Sequence, residues 1–176
     1  MQFREQTSTS AKLGCRVDGV RLADEVDGHV PDSNELKKVA DEHAMREVLR
    51  AYAQGRCVPT SLLPCASTFH LRLSHSKCRT EVLSSFASQC AALLDAFEGD
   101  GVAAHHSFIR SSLLFVYSDV TNQTSVHMID FARCYATERP LNHRTLWAIG
   151  NHEDGYLSGL NNLIGMLHGL ASSSKI

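Results

Sequence analysis

The stretch VHMIDFARC places one aspartate, Asp130, among Val126, Met128, Ile129 and Phe131. That apolar setting reads as a strand, and a carboxylate buried there without a partner would be very costly. A backbone donor, a basic side chain or a metal ion would each satisfy it, and most of the functional reading turns on which. The other residues able to do chemistry say less by themselves. Ser112 reads as a hydroxyl at a strand entry, and Arg4 and Arg21 as solvated charges. His105 and His106 are adjacent, so they point apart on any regular element, and with His127 and His152 they show no ligand spacing. Six cysteines are scattered without a Cys-x-x-Cys pair, which argues against a zinc ribbon and a disulfide scaffold. Free thiols in a cytoplasmic or nuclear protein are the expectation. No Gly-rich loop able to cradle phosphates is present.

The elements that must position these residues follow from the apolar pattern. The chain has 176 residues, 43% apolar and 20% charged, as expected for one globular domain with a real core. A net charge of −2 gives no footprint for nucleic acid or an anionic membrane. No apolar run approaches the roughly 20 residues of a membrane helix, so no membrane insertion is expected. Alternation of Leu13, Cys15 and Val17 with Gly14, Arg16 and Asp18 predicts a strand over 12–22, with a bulge at Gly19. Asp32 with Glu35 has the form of a capping box and predicts a helix from there to Gly55. Residues 56–76 lose periodicity and read as a loop insertion. A second helix is predicted over 77–97, with Val82, Phe86, Cys90, Leu93, Leu94 and Phe97 inward. Strands are expected at Leu113–Tyr117 and Val126–Phe131, joined by the polar loop 118–125. Residues 135–150 read as irregular, and a last helix begins near Glu153–Gly155 and ends in the tail 172–176. In that reading Asp154 and Gly155 do no more than start the helix, and Tyr156, Leu160 and Leu163 are core. The class is α+β, with helices in the majority.

Three blocks in this order, SSLLFVY, MIDFA and GNHEDGYLSGLNNLIGML, resemble the C-terminal part of inositol polyphosphate kinases. Among these the chain is most similar to the inositol 1,4,5-trisphosphate 3-kinases, and MQFREQTSTSAKLGCRVDGVRLAD and LKKVADEHAMREVLRAYAQG match the segments that precede those blocks. The resemblance covers nearly all of the chain except about 56–76. It implies the C-terminal lobe of an inositol polyphosphate kinase (SAICAR synthase-like) fold over 1–171. It also implies transfer of the ATP γ-phosphate to a hydroxyl of an inositol polyphosphate, with Mg²⁺. By the same resemblance Asp130 holds the divalent metal, as the corresponding aspartate of protein kinases does, and Ser112 lies beside it. Arg4 and Arg21 contact substrate phosphate. The family's Asp-x-Lys motif lies upstream of the first matching block, and no Asp-x-Lys occurs in these 176 residues. No catalytic residue is therefore carried over, and the chain reads as a C-lobe that is inactive alone. The calmodulin-binding region of some members also lies upstream, so the resemblance says nothing of calmodulin here. The alternative expectation is a non-catalytic, truncated homologue that binds inositol phosphates or a partner chain.

Overall fold

Two long helices carry the core. In the computed structural model, which describes residues 9–22, 32–36, 39–55, 79–99, 101–118, 120–145 and 153–173, the elements are as follows. Helices α1 (Ser10–Leu13), α2 (Ser33–Leu36), α3 (Glu42–Ala53), α4 (Thr80–Gly99) and α5 (Gly101–Ala104) precede the strands β1 (His106–Phe108), β2 (Ser112–Tyr117) and β3 (Thr124–Ile129). A 3₁₀ turn (Phe131–Arg133), strand β4 (Cys134–Ala136) and helix α6 (Tyr156–Ser173) complete the order. This is the expected α+β mixture, and the strands of the described residues pair antiparallel.

α4 and α6 pack most extensively on each other. Phe86, Leu83 and Cys90 of α4 meet Leu160, Met166, Leu167 and Leu170 of α6 in a core to which Met45 and Val48 of α3 also belong. These apolar positions recur at helical spacing, so burying one stripe per helix accounts for the elements. Burial also pushes the Cys90 thiol up to about 12.

The strands form two separate two-stranded ribbons, β1–β4 and β2–β3. In the second, Ser112 pairs with Ile129 and Tyr117 with Thr124. A lone ribbon is marginal in water, and here side chains cover its edges. Gln89 of α4 donates to the Thr124 carbonyl (3.3 Å) and accepts from the Val126 N–H (2.9 Å), acting on β3 as a short neighbouring strand would. On the other edge the Tyr52 hydroxyl donates to the Phe115 carbonyl (2.7 Å), while the Tyr117 hydroxyl donates back to the Tyr52 carbonyl (2.9 Å). Edge-to-face ring contacts, Tyr52–Tyr117 at 5.2 Å and Phe86–Phe115 at 5.1 Å, seat the ribbon on both helices.

Four expectations need correction. Residues 12–22 are not a strand: α1 ends at Leu13, Gly14 takes a left-handed φ of 70°, and 15–22 form neither helix nor ladder. The predicted helix over 32–55 is two helices, because the chain offers two N-caps. Asp32 accepts from the Glu35 N–H and Glu35 returns a bond to the Asp32 N–H, closing the predicted capping box, while Asp41 lies extended and accepts from the Ala44 N–H (2.8 Å). The stretch 135–150 contributes to β4, whose three residues are too few to show alternation. Finally, β3 stops at Ile129, so Asp130 lies beyond the strand, and it is exposed. The expected insertion at 56–76 lies outside the described residues.

The segment 14–22 reaches α6 through a backbone crossing of two glycines. A Cβ on Gly159 would stand 2.4 Å from the Gly14 carbonyl oxygen, and one on Gly14 would stand 2.8 Å from the Gly159 nitrogen. Asn162 donates to the Leu13 carbonyl (3.0 Å) and Thr9 to the Cys15 carbonyl (2.8 Å), fixing the crossing on both sides. We expect Gly159→Ala to lower unfolding free energy by about 2–3 kcal/mol. Gly165→Ala on the same helix, where a Cβ meets nothing within 4 Å, should raise it by about 0.5–1 kcal/mol. Urea titration of both variants checks the pair.

Candidate functional site

A cleft of about 1260 Å³ opens between the segment 14–22, α3, the β2–β3 ribbon and the first turns of α6. Its deep wall is apolar, formed by residues such as Leu49, Phe86, Leu113 and Leu163. Its polar lining gathers where the ribbon ends. Arg21, Ser112 and Asp130 all line this cleft, so three of the four residues singled out from the sequence converge on one surface. Arg4 lies outside the described residues.

Asp130 is placed by the end of β3. Its backbone is left-handed (φ 65°, ψ 52°), a conformation that aspartate tolerates better than most residues, and it precedes the 3₁₀ turn without capping it through its side chain. The ladder partner of Ile129 is Ser112, so the hydroxyl and the carboxylate belong to neighbouring rungs of the same ribbon end. Among the described residues neither side chain has a hydrogen-bond partner, and the exposed guanidinium of Arg21 has none either. Arg16, by contrast, is tied to Asp18 at 2.8 Å. The sequence reading expected Asp130 to require a partner because it is buried; it is exposed, so water serves that need and the carboxylate stays available.

No group of three or more His, Cys, Asp or Glu able to hold a metal occurs among the described residues. A free carboxylate with a hydroxyl oxygen nonetheless fits Mg²⁺, which takes one or two carboxylates and leaves its other positions to water and phosphate. The donor set is all oxygen and opens on a space wide enough for a phosphate chain. The histidines do not join it: His106 lies in β1, and His127 is exposed on β3.

Two features of the cleft wall escaped the sequence reading. The first is a clamp built on Asp154, whose side chain is only 3% exposed. It accepts from the Phe108 N–H (2.8 Å), from the Tyr156 N–H (3.0 Å) and from His143 Nδ1 (3.0 Å). His143 Nε2 stands 3.0 Å from the Ala103 carbonyl, so both ring nitrogens face oxygen atoms. Glu153 holds the same loop through the N–H groups of Asn142 and His143. The His143 carbonyl in turn accepts the Leu157 N–H (2.8 Å), capping α6. Asp154 therefore does more than start a helix. The only sequence signal was an Asp-Gly pair before an apolar stripe, and its partner lies 11 residues upstream.

The second feature is Arg110, at the end of the turn that joins β1 to β2. It is exposed, lines the cleft, and takes a φ of 63°, a region that costs a residue with a Cβ about 1 kcal/mol. Above the clamp, Tyr156 stacks on Phe97 at 5.2 Å, and its buried hydroxyl has no hydrogen-bond partner among the described residues. Burial is the main cause that pushes this phenol well above its ordinary range, with Cys90, Asp154 and Cys134 adding to it.

A family model described as inositol polyphosphate kinase matches residues 1–168. The chain belongs to this family. Within the inositol polyphosphate kinases it is 33% identical over 175 residues to human inositol-trisphosphate 3-kinase C, covering 98% of this chain and 21% of that one. It is equally 33% identical over 175 residues to rat inositol-trisphosphate 3-kinase A, covering 97% and 31%. The Caenorhabditis elegans inositol-trisphosphate 3-kinase homolog is 29% identical over 172 residues, covering 97% and 29%. The chain thus spans about a fifth to a third of the length of these curated relatives. In fold it is similar to a solved structure of inositol phosphate multikinase, with a TM-score of 0.62 over 96% of this chain and 67% of that one, at 19% identity.

Two substitutions test the wall. His143→Ala removes one partner of a buried pair and should cost about 3 kcal/mol, read as a shifted urea midpoint at unchanged slope. Tyr156→Phe removes a hydroxyl that has no partner to lose and should raise stability by about 1 kcal/mol, read in the same way.

Proposed function

We propose that this chain supplies the metal- and substrate-holding part of an ATP-dependent inositol polyphosphate kinase, of the inositol 1,4,5-trisphosphate 3-kinase type. The observation that carries this reading is the meeting of Arg21, Ser112 and Asp130 on one cleft, each without a partner among the described residues. Membership of the family, and identity of about a third to the trisphosphate 3-kinases, supports the choice of reaction.

In this reading Asp130 and Ser112 hold Mg²⁺ through oxygen. When bound, the cation neutralises charge on the nucleotide phosphates. Arg21 donates hydrogen bonds to a phosphate of the inositol substrate, and no ion pair with another described residue has first to be broken. The segment that bears Arg21 is held to α6 by the glycine crossing, which keeps it on the same cleft as the ribbon end. Positioning of this kind, with charge neutralisation, supplies most of the rate in phosphoryl transfer. Arg4 is assigned to substrate phosphate on the family pattern alone.

A second reading has one observation in its favour. No Asp-x-Lys occurs in these 176 residues, and a chain that binds the same ligands without turnover would need none. One experiment separates the two. The 176-residue chain is titrated with Mg²⁺-ATP and with inositol 1,4,5-trisphosphate, and then assayed for phosphate transfer. We expect both ligands to bind. Asp130→Asn should weaken Mg²⁺-ATP by about ten- to a hundred-fold, and Arg21→Ala should weaken the inositol phosphate by a similar factor. Transfer by the chain itself would favour the kinase reading, binding without transfer the second one, and binding of neither ligand would overturn both.

A further inference from the structure

We propose that Arg110 is a phosphate-binding residue of this cleft, contacting the phosphate group that shares the cation held at Asp130. The inference rests on the function proposed above. Its starting point is a residue in the wrong conformation for its type.

Arg110 closes the turn from Phe108 to Ser111, where a φ of 63° suits glycine or asparagine. The turn is not free to relax. Asp154 holds the Phe108 N–H, the Ser111 hydroxyl donates to the Phe108 carbonyl (3.2 Å), and the Phe108 ring packs on Phe97 at 5.0 Å. A long cationic side chain is thus fixed in a position that a smaller residue would occupy at less cost, and strain of this kind collects at ligand sites.

Its neighbours say what the ligand is. The ladder ends with Ser112 opposite Ile129, so Arg110 and Asp130 both lie just beyond the same end of the ribbon. They line one cleft, carry opposite charges, and make no ion pair with each other or with any other described residue. A phosphate with a bound divalent cation satisfies both at once: its oxygens accept from the guanidinium, while the carboxylate ligates the cation. Neither a bare cation nor an apolar ligand would use Arg110. Two molecules carry such a phosphate, the nucleotide and the inositol polyphosphate.

The test titrates Mg²⁺-ATP and inositol 1,4,5-trisphosphate separately into the wild-type chain, Arg110→Gly, Arg110→Asn and Arg110→Lys, and records each melting temperature. Glycine and asparagine relax the turn, so both variants should melt about 2–5 °C higher than wild type. Both should bind one of the two ligands about ten- to a hundred-fold more weakly, and the ligand affected identifies the source of the phosphate. Lysine keeps the charge and the strain, and it should recover part of the affinity with an unchanged melting temperature. Higher melting temperatures with both affinities within twofold of wild type would make Arg110 a turn residue only. That result overturns this proposal and, if Arg21→Ala still weakens binding, leaves the functional reading standing. A wild-type chain that binds neither ligand overturns the two together.

Discussion

The buried carboxylate of Asp154 is the constraint on which the rest of this structure depends. It takes hydrogens from the first turn of α6, from the end of β1 and from the His143 ring. A carboxylate this deep is tolerable only when its lone pairs are met, and meeting them fixes three stretches of chain against one another. The turn after β1 then aims β2, and β2 sets the register of β3. The position of Asp130 in the cleft therefore descends from a carboxylate that is almost wholly buried.

The β2–β3 ribbon shows how little sheet is needed when helices finish it. Two strands leave two open edges, and Gln89 on one side and Tyr52 on the other provide the missing hydrogen bonds. These side chains act at Phe115, Val126 and Thr124, in the middle and at the far end of the ribbon, and none of them reaches its end at Ser112 and Ile129. Polar groups on that end face an open cleft, which is where a phosphate-binding surface belongs. The apolar wall behind them lowers the local dielectric and strengthens any charge contact made there.

Long apolar stripes were legible in the sequence, as α4, α6 and the β2–β3 pair show, because periodicity over several turns or rungs outweighs local accident. The Asp32–Glu35 box was legible as well, since its chemistry is local. What failed was either short or distant. β1 and β4 have three residues each, and the alternation at 13–18 runs from the end of α1 into a segment assigned to no ladder. The meeting of Arg21, Ser112 and Asp130 followed only from resemblance, since nothing in their spacing joins residues so far apart. Arg110 carried no signal, because a left-handed φ shows itself in a sequence only when glycine or asparagine fills the position.

The glycine crossing also bears on how the cleft comes into being. Leu13 and Asn162 are hydrogen-bonded across 149 positions of sequence. A ribosome adds about 5–20 residues each second, so the segment bearing Arg21 waits on the order of ten seconds for the helix that receives it. During that time the α6 part of the core on which its apolar side chains pack is missing. The cleft wall that carries Arg21 is therefore seated only once α6 has been made, after α3 and α4.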